Sequence, residues 1–147
     1  MTRTIIGATT RAHSLLLAVL VIGSATAWAA DVKVIANSSV GASSVSPDEL
    51  KGVFLDTKSS LSDGSHVEPV LQKGGAVHEA FLKDYVGKTD SGLETYYRSL
   101  VFTGKGSMPK QFATDAEVVA FVEKTKGAIG YVASATASGS AKVLEVK

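Results

Sequence analysis

The chain has 147 residues, no cysteine and nearly balanced charge, with 15 basic and 14 acidic residues. A chain of this length forms one domain that buries about two-thirds of its unfolded surface, and here it must do so without disulfides. The charges form no block of one sign, which excludes the electrostatic footprint of a nucleic-acid-binding protein or of a protein that binds anionic membranes.

The first 29 residues have the three regions of a secretory signal peptide. A basic N-terminal region without acids is followed by an apolar run at 15–22 and by a small-residue cleavage site at 27–29. The run is shorter than the roughly 20 apolar residues that span a bilayer, so we expect cleavage rather than anchoring. We therefore predict a leader at 1–29 and one exported domain at 30–147, periplasmic or secreted, without membrane insertion after cleavage.

Strand and helix signals alternate along the exported part of the chain. A β-rich run predicts a first strand at 32–36. Ser46, followed by Pro47 and Glu49, forms a capping box that opens a helix ending near Asp56. Later patterns predict a strand at 66–71, helices at 75–87, 91–100 and 114–126, a loop at 101–112, and strands at 128–132 and 141–146. This order predicts an α/β domain in which a small mixed sheet is covered by about four helices.

Two glycine-rich segments are candidates for binding a small anion. One precedes the predicted second helix, whose first N–H groups lack internal partners, and its glycines let a ligand approach that backbone closely. The other lies in the predicted loop and offers exposed N–H groups and one lysine, but it lacks the Lys-Ser or Lys-Thr pair of a nucleotide-binding phosphate loop. The residues are Lys73, Gly74 and Gly75 in the first segment and Thr103, Gly104, Lys105 and Gly106 in the second. The alternative for the first segment is an ordinary turn at the start of a helix.

The sequence predicts no catalytic, metal or cofactor site. Asp63, Ser65 and His66 are the residue types of a hydrolase triad, but neighbours in one turn do not point at one another. His66 and His78 lie on separate predicted elements and have no cysteine partner, so a metal site is not expected. We therefore expect a non-enzymatic protein whose histidines are exposed or hydrogen-bonded.

Several segments, taken in order, resemble the phosphate-binding proteins of ABC transporters. The most specific is Gly127-Ala128-Ile129-Gly130-Tyr131-Val132, and the others lie at 50–55, 63–70, 80–82 and 102–106. The similarity covers about residues 46–132 and is strongest to the short, stand-alone members of that superfamily. It implies a single periplasmic-binding-protein-like lobe of type II, related to the substrate-binding component. It also implies phosphate or another small anion as ligand and an ABC permease as partner, while the alternative partner is an envelope protein.

Two departures from the family pattern bear on ligand binding. Full-length relatives have two lobes, one of which holds phosphate with an arginine and a Ser-Gly-Thr turn. This chain has Leu71 in place of that arginine and Gly75, Ala76 and Val77 in place of the turn. A bidentate arginine supplies two charge-assisted hydrogen bonds, so its loss leaves backbone N–H groups and Lys73 to hold an anion. A homodimer would supply the second lobe, and the alternative function is an envelope interaction protein that keeps the fold without the ligand.

Overall fold

A computed structural model describes residues 31–147, and the predicted leader at 1–29 lies outside the described residues. The described chain folds into helices and strands that alternate in sequence. The helices are α1 (Pro47–Phe54), α2 (Ala76–Phe81), α3 (Asp90–Phe102) and α4 (Asp115–Lys124), and a π-helical turn (Leu82–Val86) continues α2. The strands are β1 (Val32–Ala36), β2 (Ser44–Val45), β3 (Glu68–Gln72), β4 (Lys110–Phe112), β5 (Ala128–Ala133) and β6 (Lys142–Val146).

The strands form one mixed sheet in the order β2-β6-β1-β5-β3-β4. β1 is antiparallel to β5 and β6, β2 is parallel to β6, and β3 is parallel to both β4 and β5. Because β3, β4 and β5 run in the same direction, their last residues, Gln72, Phe112 and Ala133, lie at one side of the sheet. We call this side the carboxyl edge.

Apolar side chains are buried on both faces of the sheet. On one face, Phe54, Phe81 and Tyr131 form the centre of a core that includes α1, α2 and α3. The rings of Phe81 and Tyr131 stack 3.9 Å apart, and Phe54 meets Phe81 edge-on at 4.8 Å. On the other face, α4 packs onto the sheet through Val118 and Val122. The prediction of a mixed sheet covered by about four helices is confirmed, and the helices lie on both of its faces.

The predicted starts of α1 and α4 are confirmed. The Ser46 hydroxyl accepts from the Glu49 N–H at 3.2 Å, and the Glu49 carboxylate accepts from the Ser46 N–H at 3.0 Å. Thr114 and Glu117 form the same reciprocal pair at the start of α4. Both capping boxes are local contacts within four residues, so the sequence pattern is sufficient to predict them.

Several element boundaries differ from the sequence prediction. β2 and β4 are absent from the prediction because strands of two and three residues are too short to show alternation. β4 lies within the segment predicted as a loop, and α3 extends to Phe102 instead of ending at 100. The predicted helix at 75–87 is α2 with its π-helical turn, which Gly87 ends at a φ of 71°. β3 begins at Glu68 and not at 66.

Candidate functional site

The carboxyl edge brings two helix N-termini together. α2 begins just after β3, through the segment 73–75, and α4 begins just after β4, behind Thr114. The Lys73 N–H donates to the Phe112 carbonyl at 2.9 Å, which ties this segment to the end of β4. Ligands of open α/β sheets bind outside the carboxyl ends of parallel strands, where helix N-termini present free N–H groups. The predicted segment 73–75 therefore lies where this kind of fold places a ligand.

The N-terminus of α2 is open to solvent. Gly74 and Gly75 have φ angles of 89° and 95°, and a Cβ on either would have no atom within 4 Å. Gly75 precedes α2 without a side-chain hydrogen bond, whereas α1, α3 and α4 each begin behind a serine or threonine that caps them. The first N–H groups of α2 therefore lack a capping side chain, and the exposed Lys73 stands beside them.

The second predicted segment, 103–106, lies at the opposite end of the β3–β4 pair. It precedes the amino end of β4, whereas the segment 73–75 follows the carboxyl end of the parallel strand β3. The Lys105 N–H already donates to the Leu100 carbonyl at 2.9 Å. Any side chain at Gly106 would collide with the Asp56 carboxylate. The structure thus does not bring the two predicted segments into one site, and a carboxylate adjoins the second.

A chain of hydrogen bonds runs from the buried Tyr131 through His78 to the exposed Asp90. His78 is 1% exposed; its Nδ1 contacts the Tyr131 hydroxyl, and its Nε2 lies 2.9 Å from Asp90 Oδ1. The Tyr131 hydroxyl also accepts from the Gln72 backbone N–H at 3.0 Å. Burial raises the pKa of Tyr131, so its hydroxyl keeps its proton and is able to donate a hydrogen bond. In the Nε2–H tautomer of His78, Nδ1 accepts from the Tyr131 hydroxyl and Nε2 donates to Asp90.

This network confirms the prediction of a hydrogen-bonded histidine at His78, and His66 is exposed as expected. The partners of His78 were not predicted from the sequence. One signal in the sequence does indicate that His78 is buried. It lies three residues before Phe81 and four before Leu82, which places it on the same face of the helix as these apolar residues. A polar residue on such a face requires a buried partner, but the pattern does not say which one.

Asp115 fills the gap between β3 and β5 at the carboxyl edge. Its Oδ1 accepts from Gln72 Nε2 at 2.6 Å, and its Oδ2 accepts from the Ala133 N–H at 3.0 Å and the Thr136 hydroxyl at 2.6 Å. Gln72 is 6% exposed, and its Nε2 also donates to the Tyr131 carbonyl at 3.1 Å. An internal carboxylate therefore takes up three donors at the same edge as the candidate anion site.

An open cleft of about 790 Å³ lies between α2 and the start of α3. Its lining carries mixed charge, with Lys83 and Lys88 opposed by Glu79 and Asp90, and it does not include the segment 73–75. Within residues 31–147, no group of three or more His, Cys, Asp or Glu side chains is placed to hold a metal ion. No helix in the same range is long and apolar enough to cross a membrane.

No family model and no curated protein sequence matches the chain. Among solved structures, it is similar to an ABC-type phosphate transport receptor from Vibrio cholerae, with a TM-score of 0.52, 10% identity, and coverage of 79% of this chain and 46% of that one. It is also similar to a phosphate ABC transporter substrate-binding protein with bound phosphate from Clostridium perfringens, with a TM-score of 0.59 and 14% identity. That match covers 79% of this chain and 44% of the other. The match to PstS from Borrelia burgdorferi has a TM-score of 0.57 and 12% identity, and it covers 80% of this chain and 47% of PstS.

These similarities define the fold class. The chain is a single periplasmic-binding-protein-like α/β lobe with a six-stranded mixed sheet. It spans less than half the length of each of the three proteins named above. At identities of 10–14%, the likeness shows the fold, and the ligand has to be argued from the residues of this chain.

Proposed function

We propose that this chain is a non-enzymatic, exported solute-binding module that binds a small oxyanion at the open N-terminus of α2 and works with an ABC permease. The observation that carries the proposal is the missing cap. Among the four helices of residues 31–147, α2 begins without a capping side chain, and it does so at the carboxyl edge. Inorganic phosphate is the first candidate, because the similar structures are phosphate transport proteins and one of them contains bound phosphate.

In this proposal, the first N–H groups of α2 and the Lys73 ammonium hold the anion. The helix N-terminus carries partial positive charge, and Lys73 adds a full one. Leu71, which stands in place of an arginine, is 1% exposed and packs in the core, so it leaves no side-chain donor at that position. With so few charge-assisted bonds, we expect a dissociation constant of roughly 0.1–1 mM, which corresponds to about −4 to −5.5 kcal/mol.

Isothermal titration of the exported form with phosphate, sulfate and chloride tests the proposal. We expect Lys73→Ala to weaken phosphate binding about three- to tenfold, because it removes one full charge beside the helix N-terminus. Lys105→Ala is the matched control, since that lysine lies at the other end of the β3–β4 pair, and it should leave the affinity unchanged. Absence of both heat and thermal stabilisation at millimolar phosphate would contradict the proposal, because a bound ligand must stabilise the native state.

The second candidate function is an envelope interaction protein that keeps the lobe without the ligand. The observation that favours it is an apolar surface at the end of α3, where Phe102 is 91% exposed, Val101 52% and Met108 42%. Exposed apolar patches mark contact sites, and a second copy of this chain is the partner we would test first. Self-association in sedimentation experiments that Phe102→Ser abolishes, together with no phosphate binding, would favour this function. A monomer at high concentration would exclude self-association through Phe102.

A further inference from the structure

The donors around Asp115 come from three separate parts of the fold. The Gln72 amide belongs to the end of β3, the Ala133 N–H to the end of β5, and the Thr136 hydroxyl to the loop between β5 and β6. All three reach the carboxylate of Asp115 within 3.0 Å. We call these three donors the carboxylate cradle. Two members of the cradle belong to strands of the sheet and the third to the loop after β5, so none of them belongs to α4, which carries Asp115.

The cradle needs an anion for a physical reason. Gln72 is 94% buried, so water cannot replace a lost acceptor at its amide without cost. Hydrogen bonds to a charged acceptor are roughly twice as strong as neutral ones. Among the described residues, every buried side-chain nitrogen and oxygen has a partner, and at Gln72 Nε2 that partner is Asp115 together with the Tyr131 carbonyl. Removing the Asp115 carboxylate would take an acceptor from all three donors, and of these only Gln72 Nε2 would keep a second acceptor, the Tyr131 carbonyl.

We propose that the carboxylate cradle is a binding site for a small carboxylate, and that the chain occupies it with its own Asp115 as an internal ligand. The bound carboxylate joins the first turn of α4 to β3 and to the loop after β5. It also closes the β3–β5 side of the carboxyl edge to external anions, which leaves the start of α2 as the accessible part. This inference goes beyond the proposed function and holds whether or not phosphate binds at α2.

Chemical rescue of Asp115→Ala tests the inference. The substitution removes the group that formate can replace, so we expect the melting temperature to fall by roughly 5–10 °C and to recover by several degrees in sodium formate. Sodium chloride at the same ionic strength should give no such recovery, and the wild-type chain should respond equally to the two salts. Equal responses of Asp115→Ala to formate and to chloride would overturn the inference.

Asp48→Ala is the matched control for helix electrostatics. Asp48 lies in the first turn of α1, behind a capping box like that of α4, and it makes no side-chain hydrogen bond to the described residues. It should therefore show no specific rescue by formate. The double variant Lys73→Ala, Asp115→Ala should still be rescued, because its cradle is intact. Loss of rescue in the double variant would place the formate at α2 and overturn the inference.

Asp115→Asn covers the case in which Asp115→Ala does not fold. Asparagine keeps the shape of the side chain but removes its negative charge. It also replaces one acceptor oxygen by an NH₂ group, which is itself a donor and therefore faces the donors of the cradle. We expect a clear drop in melting temperature, and Thr136→Ala, which removes one member of the cradle, should have a smaller effect in this variant than in the wild-type chain. A wild-type melting temperature for Asp115→Asn would contradict the inference.

Discussion

Glu49 accepts hydrogen bonds from two sides at the start of α1. The Ser46 N–H donates to Oε2 at 3.0 Å, and the Ser62 N–H donates to Oε1 at 2.7 Å. These bonds stabilise the carboxylate form, with the Ser46 backbone contributing most, and they lower the pKa of Glu49 to about 2. Glu49 therefore caps the N-terminus of α1 and also binds the loop after α1 through Ser62.

The lowered pKa of Glu49 predicts a pH dependence of stability. A depressed carboxyl pKa contributes stability that is complete above the unfolded value of 4.5 and is lost as the pH falls toward about 2. Because water reaches this carboxylate, we expect the loss to be limited to about 1 kcal/mol. Urea unfolding at several pH values in this window should show the loss in the wild-type chain and a smaller loss in Glu49→Gln. Parallel pH profiles for the two proteins would contradict the assignment.

The buried polar residues of the carboxyl edge form a second feature at the residue scale. His78, Tyr131 and Gln72 are each less than 10% exposed, and each makes hydrogen bonds to residues distant in sequence. Buried polar groups of this kind specify one arrangement of α2, β3 and β5, because any other leaves donors unpaired. The precision of the candidate anion site therefore depends on residues that do not touch the anion.

At the scale of elements, the close packing of α4 on the sheet depends on Gly130 in β5. A Cβ at this position would lie 2.9 Å from Val118 Cγ1 on α4 and 2.9 Å from Val70 Cγ2 on β3. Both neighbours are branched side chains that are at most 1% exposed, so neither can move aside freely. The glycine thus sets the distance between α4 and the sheet, and with it the position of Asp115 in the carboxylate cradle.

This packing predicts coupling between Gly130 and Val118. Gly130→Ala should destabilise the domain by about 1–3 kcal/mol, because overpacking forces neighbours from their rotamers. In the double variant with Val118→Ala, the new methyl fills part of the vacated space, so the total loss should be smaller than the sum of the single losses. Urea unfolding of the two single variants and the double variant measures this difference. Additive losses would show that the two positions do not compete for the same space.

At the scale of the whole molecule, the chain is one lobe of a fold that is at least twice as long in the three similar proteins. A single lobe leaves an anion at α2 partly in water, which weakens each charge-assisted bond compared with a closed site. The exposed end of α3 at Phe102 is a surface on which a second copy could pack. If the proposed anion site exists, it is either weak and open or completed by association, and sedimentation with and without phosphate distinguishes these two cases.

The leader at 1–29 is a prediction about the whole molecule that lies outside the described residues. Its basic, apolar and small-residue regions predict removal by signal peptidase near residues 27–30. Expression in an exporting host should yield a protein whose intact mass lacks these residues, while the same chain retained in the cytoplasm should keep them. An exported protein of full-length mass would contradict cleavage.

Contacts between near neighbours in the chain were open to prediction from the sequence. The capping boxes at Ser46 and Thr114 lie within four residues, and the apolar run at 128–132 becomes the buried strand β5. Such patterns identify helices, strands and their order, and this order suffices for the α/β class. The sequence by itself also determined that Lys73, Gly74 and Gly75 stand at the start of a helix.

Only the tertiary structure decided which distant segments share a site. Gln72 and Asp115 are 43 residues apart, and their contact depends on the parallel pairing of β3 with β4 and β5. The same pairing separates the segment 73–75 from the segment 103–106, although both look alike as glycine-lysine stretches. Local patterns reflect the energetics of one helix or strand, whereas strand order is set by burial over the whole core. For that reason the sequence predicted the helix start at 73–75, and the fold determined that this start is uncapped and that the Asp115 carboxylate lies at the same edge.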